Sequence, residues 1–215
     1  MTPTPKLRDE FNPLTPGYDD ARLLEMFIDA ARLGVMDTFR LMPLDKQAKF
    51  LDKKDPRPAN AARTALIEAS FEGKTEVVAH LLSLKASTGM EDKQGWTALA
   101  AAAWKGDTAI IGKLLDAGAD INAQDAEKWT PLQDALNGNH PEAALLLLSR
   151  GANPLLKNAD GMNALEVAMD LKMHAVVPAL EAAVIKLHTA TIVDTVGHTA
   201  REVSAPATAQ FRKRS

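Results

Sequence analysis

Four leucines set the terms for this chain: Leu66, Leu99, Leu132 and Leu165 recur at intervals of 33 residues. A period in that range points to a stack of equal supersecondary units, because a single unit of that length cannot hide its own apolar face. The chemistry around each anchor repeats as well. Two residues before it stand Thr64, Thr97, Thr130 and Asn163, each able to accept from the open N–H groups of a helix start. Pro131 follows Thr130 at the first helical position, where a missing N–H costs nothing. Three residues after each anchor stand Ala69, Ala102, Ala135 and Ala168, small enough for neighbouring helices to pack closely.

A turn follows, at Gly73, Gly106, Asn139 and Lys172. Glycine, and asparagine less readily, tolerate the left-handed backbone such a turn can need. A second helix then carries paired apolar positions four residues apart, on one helical face. These are Val77–Val78 with Leu81–Leu82, Ile110–Ile111 with Leu114–Leu115, Ala143–Ala144 with Leu147–Leu148, and Val176–Val177 with Leu180. An earlier, degenerate copy is marked by Phe27, Ala30, Ala31 and Gly34. Phe27 precedes Leu66 by 39 residues, so six extra residues are expected within Leu44–Asn60, read as a loop from its Lys, Asp and Pro. Thr38 and Pro43 replace apolar residues of that copy's second helix, and Glu181 does so in the last one, as suits end units with one wet face. Beyond it, Asp194–Ser204 partly copies a unit start, with Arg201 at the leucine position. The expected organisation is a flexible segment over 1–20, repeats over 21–187, a partial capping unit over 188–205 and a flexible tail over 206–215.

The stretch GADINAQDAEKWTPLQDA, Gly118 to Ala135, resembles the consensus of the ankyrin repeat, a 33-residue unit with a T-P-L-H-x-A signature. The resemblance covers roughly residues 21–187. It departs from the family pattern where Ile67, Ala100, Gln133 and Glu166 replace the usual histidine, and where Lys128 and Lys172 replace glycine and so weaken local turns. It implies an all-α ankyrin-repeat solenoid of about five repeats, with degenerate terminal caps. It also implies a concave surface, lined by turn-tipped fingers and first helices, that binds another protein, although fold alone does not fix function.

On that surface the resemblance places Arg63, Trp96, Trp129 and Met162 in the fingers, and Phe71, Trp104, Asn137 and Asp170 on the first helices. Lys93, Lys105 and Gln133 stand beside them. Trp96, Trp104 and Trp129 are the three tryptophans of the chain, and tryptophan is enriched where binding energy concentrates. Trp104 reads as a partner contact. Trp96 and Trp129 read either as contacts or as packing between neighbouring fingers. The polar groups nearby, including Gln94, Glu127 and Asp160, are of mixed charge and express no preference for an acidic or a basic partner.

Other chemistries find little support. The chain has no cysteine, which removes disulfides, thiolate metal sites and a cysteine nucleophile. Its histidines, His80, His140, His174, His188 and His198, include no i, i+4 pair, so no metal or cofactor is expected. His80 is expected on a solvated helix surface and His140 in a structural turn. Phosphate-binding glycine motifs and the G-x-S-x-G nucleophile motif do not occur. Residues 91–165 carry ten acids and six bases, the wrong sign for tracking nucleic acid. With no apolar run of ~18 residues and no secretory signal pattern, no membrane role is expected and the default is cytoplasmic, with export by a signal-peptide-independent route left open. The leading expectation is a protein-binding module, monomeric when free, that inhibits or regulates one partner. The alternatives are a secreted bacterial effector that binds a host protein and, from another class, an enzyme with a site assembled across repeats.

Overall fold

A computed structural model describes residues 19–57, 61–187 and 189. In chain order the helices are α1 (Asp20–Leu33), α2 (Met36–Leu41) and α3 (Leu44–Phe50), then α4 (Ala65–Phe71) paired with α5 (Thr75–Ser83). The pairs α6 (Ala98–Lys105) with α7 (Thr108–Asp116), and α8 (Pro131–Asn137) with α9 (Pro141–Ser149), follow. Last come α10 (Ala164–Asp170) and α11 over 177–187. The described residues contain no strand.

The repeated capping residues start the inner helices. Thr64, Thr97 and Thr130 accept from the N–H of Ile67, Ala100 and Gln133 at 3.4, 3.2 and 3.3 Å, and Asn163 accepts from that of Glu166 at 3.1 Å. Thr130 with Gln133, and Asn163 with Glu166, close reciprocal capping boxes. After each inner helix the chain turns left-handed, at Gly73, Gly106, Asn139 and Lys172. Lys172 and Lys128 hold φ of +58° and +61° without being glycine. Each carries strain of about 1 kcal/mol, the weakness their departure from the pattern implied.

Inner helices α4, α6, α8 and α10 stack on one another and carry more of the inter-repeat contact than outer helices α5, α7 and α9. Alanine makes this possible: Ala98 and Ala100 to Ala103 of α6 are all buried. Leu66, Leu99 and Leu132 lie in the same core, each contributing about 2 kcal/mol. The outer helices bury bulkier Val77, Val78, Ile110, Ile111 and Leu114. The fingers are tied one to the next by single backbone bonds. Lys93 donates to Ala61 at 2.8 Å, Ala126 to Gln94 at 3.0 Å and Ala159 to Glu127 at 2.8 Å. Gly95 is required at one of these junctions: its φ is +83°, and a Cβ there would stand 2.7 Å from the Ala126 nitrogen.

The N-terminal end differs from expectation. Residues 44–60 were to be a loop, yet Leu44–Phe50 forms α3. Pro43 stops the helix begun as α2, and the chain restarts beyond it. Phe50 and Leu51 turn inward and are buried. The Phe27 ring lies 5.1 Å from Phe39 and 6.0 Å from Phe50, centroid to centroid. The extra residues therefore pack on the first repeat and reach the second, where Asp52 accepts from the Ser87 N–H at 2.9 Å. A buried glutamine hid this from the apolar pattern. Gln47 donates from Nε2 to the carbonyls of Phe39 at 2.6 Å and Met42 at 2.8 Å, which leaves its Oε1 to accept from His80 Nε2 at 2.8 Å. His80 is thus half-buried against Phe39 rather than on a solvated surface, and burial holds its imidazole below the ordinary value.

At the other end, register with α5, α7 and α9 would start the last outer helix at residue 174. It starts at 177 because Pro178 has no N–H to give the His174 carbonyl. Val176 and Leu180 remain fully buried. The expected capping unit over 188–205, the tail over 206–215 and residues 1–18 of the N-terminal segment fall outside the described residues, Thr189 excepted. No helix of the described residues is long and apolar enough to cross a membrane.

Candidate functional site

Each finger is shaped by one side chain at its base. Asp92 Oδ1 accepts from the N–H of Gln94 and Trp96 at 2.9 and 3.0 Å. Asp125 Oδ1 does the same for Glu127 and Trp129 at 2.9 and 2.8 Å, and Asn158 Oδ1 accepts from Met162 at 2.9 Å. These Asx turns hold Trp96, Trp129 and Met162 in equivalent places. The other carboxylate oxygen reaches the preceding finger: Asp92 Oδ2 accepts from Arg63 Nε at 3.1 Å, and Asp125 Oδ2 from Trp96 Nε1 at 3.1 Å. The packing reading of Trp96 therefore holds. Its N–H and part of its ring tie two repeats, and the rest of the ring remains at the surface. Trp129 also packs against the core with its ring half-buried.

Trp104 leaves the end of α6 half-exposed, its ring centroid 5.9 Å from that of Trp96. Gly138 permits the neighbouring chain to lie against it, since a Cβ there would stand 2.3 Å from the Trp104 carbonyl oxygen. Lys93, Trp96, Trp104, Trp129 and Asn137, all named from the sequence, line one open cavity of about 490 Å³. Arg63 and Phe71, one repeat earlier, form a second group with Lys105 of α6. There the Arg63 guanidinium carbon and Lys105 Nζ lie 4.4 and 4.7 Å from the Phe71 ring centroid. Phe71 stands 6.4 Å from Trp96, so the two groups adjoin. Met162 packs against the core and does not line the cavity.

A family model for ankyrin repeats (3 copies) matches residues 27–125 and 101–187. The chain belongs to the ankyrin repeat family. No curated protein matches it. Ankyrin repeats are typically protein-binding modules, and the cavity lies within the matched span.

Gln133 is a correction. It was expected to meet the partner, but it is fully buried. Its Oε1 accepts from the Thr130 N–H at 3.1 Å, and its Nε2 donates to the carbonyls of Met162 at 2.9 Å and Leu156 at 3.3 Å. In this ankyrin chain the position that usually holds histidine faces the next repeat, so Gln133 couples two units instead of reaching outward. His140 lies in its turn against Gly106, where a Cβ would stand 2.4 Å from the imidazole.

One residue of the cavity escaped the sequence reading. Asp134 lines it, is 2% exposed, and its Oδ2 has no hydrogen-bond partner. Burial pushes its carboxyl well above the ordinary range, and the like charge of Asp125 adds to this. A signal existed in the ankyrin register. The slot two residues after the anchor holds Glu68, Ala101, Asp134 and Val167, and all four are buried. Two of the four are acids, and an acid buried so deeply is the anomaly. Glu68 shows how such a group is accommodated: burial raises it, while Arg63 and then Arg32 draw it back down. Among the described residues no three His, Cys, Asp or Glu side chains gather around a metal-sized space.

Proposed function

We propose that this ankyrin repeat chain grips one partner protein through the finger-side cavity and so inhibits or regulates it. The carrying observation is the convergence of all three tryptophans, from two fingers and one helix, on a single cavity with Lys93 and Asn137 at its border. Aromatic anchors around a concavity, with polar groups at the edge, are what the energetic centre of a protein interface requires. The adjoining Arg63, Phe71 and Lys105 group extends the surface along the stack.

Trp104 and Asn137 serve the test best, because neither packs against the buried core. Full-length wild type and the Trp104→Ala, Asn137→Ala double variant are compared as baits in native lysate, with bound proteins identified by mass spectrometry. The wild type enriches a protein that the double variant binds about 30-fold more weakly, the loss of a ~2 kcal/mol hot spot. Helical circular dichroism stays unchanged. Equal capture by the folded double variant ends this reading.

A further inference from the structure

We propose that the cavity takes an arginine side chain of the partner protein, its guanidinium laid on the Trp104 ring and facing the Asp134 carboxylate. This rests on the docking reading above and names the chemistry of the anchor.

Three observations carry it. First, Asp134 lines the cavity as a nearly fully buried acid whose enclosed Oδ2 has no partner, and the charge acting on it, Asp125, is of the same sign. An uncompensated carboxylate in that setting is unfavourable, and a cation entering the cavity relieves it. Second, the tryptophan rings offer faces whose quadrupole attracts cations. Third, the same surface already holds a guanidinium in this manner one repeat earlier. Arg63 lies over Phe71 at 4.4 Å, donates to Asp92 at 3.1 Å, and eases Glu68, which occupies the slot equivalent to Asp134. Shifted by one repeat, Phe71 becomes Trp104, Asp92 becomes Asp125, and Arg63 becomes Trp96. The aromatic ring and the finger aspartate recur, but Glu68 gives way to Ala101 and the Trp96 indole, not a guanidinium, donates to Asp125 at 3.1 Å; Asp134 takes up the Glu68 slot one repeat further on. A guanidinium suits the site better than an ammonium because it is planar, stacks on indole and sheds water more readily. Lys93 is exposed at the rim and opposes any incoming cation.

All three tryptophans line the cavity, so intrinsic fluorescence reports on it directly. The full chain is titrated at constant ionic strength with N-acetylarginine amide, with its neutral isostere N-acetylcitrulline amide, and with N-acetyllysine amide. Arginine amide gives a saturable change, lysine amide binds more weakly, and citrulline amide binds roughly tenfold more weakly. Asp134→Asn weakens arginine binding roughly tenfold, and Lys93→Gln strengthens it about twofold. Citrulline binding as tightly as arginine, lysine matching arginine, or no saturable response overturns the proposal. Should Asp134→Asn fail to fold, Lys93→Gln decides, since weaker binding by that variant also overturns it. If arginine amide gives no response while lysate capture still depends on Trp104 and Asn137, the arginine assignment alone fails. If arginine amide binds and the double variant captures as well as wild type, the docking reading fails instead.

Discussion

At the scale of single residues, Asp134 is where stability and recognition pull apart. The native fold disfavours its charged form, so it ionises at higher pH folded than unfolded. Between the ordinary carboxylate value and the raised one, the unfolded chain releases a proton that the folded chain keeps. Stability therefore falls as pH rises across that window and stays lower above it. Asparagine has no proton to lose there. Asp134→Asn is expected to be more stable than wild type at neutral pH, with the advantage vanishing below about pH 4, where both chains carry a neutral side chain. Denaturant titrations across that range check this, and an advantage independent of pH would show that charge is not the cause. The acid itself was visible in the sequence, at a slot where Glu68 is also an acid and Ala101 and Val167 are apolar. Its lack of a partner was not, because that depends on which side chains from neighbouring repeats reach it.

Between elements, Gln133 is the clearest coupling. It joins α8 to the finger that precedes α10 through the carbonyls of Leu156 and Met162. Gln133→Ala leaves the Leu156 carbonyl and the Thr130 N–H without partners and the Met162 carbonyl with the Asn158 N–H alone, and is expected to cost about 2 kcal/mol. Amide exchange should quicken in residues 156–170 more than in α4. Uniform quickening throughout the chain would mean that the residue supports the fold generally rather than one boundary. The periodicity located this position but assigned it to the surface, since a polar residue one step past the anchor gives no sign of which way it faces. The inserted helix α3 was missed for the related reason that Gln47, a polar residue, fills a core place by hydrogen bonding.

For the whole molecule, a linear stack makes stability a sum of units and the boundaries between them. A change at the end should then loosen the end, and a change at the centre should loosen both sides. Phe50→Ala removes a ring packed on Phe27 and is expected to cost about 3–4 kcal/mol. Exchange should rise in α1 to α3 while α6 to α8 stay protected. Leu99→Ala, at about 3 kcal/mol, should weaken α4 and α8 together. Equal loss of protection everywhere in both variants would show a single cooperative unit.

The residues alone were enough to settle the repeat, its capping threonines and the left-handed turns, because each follows from spacing along the chain, while the gathering of aromatic positions on one side was what the resemblance implied. The sign of the binding surface did not follow in that way. Along the sequence the charges near the tryptophans look mixed, whereas in space Asp125 and Asp134 stand at the cavity and Lys93 is exposed at its rim. Electrostatic character depends on distance and burial, and both arise only when one repeat is laid against the next.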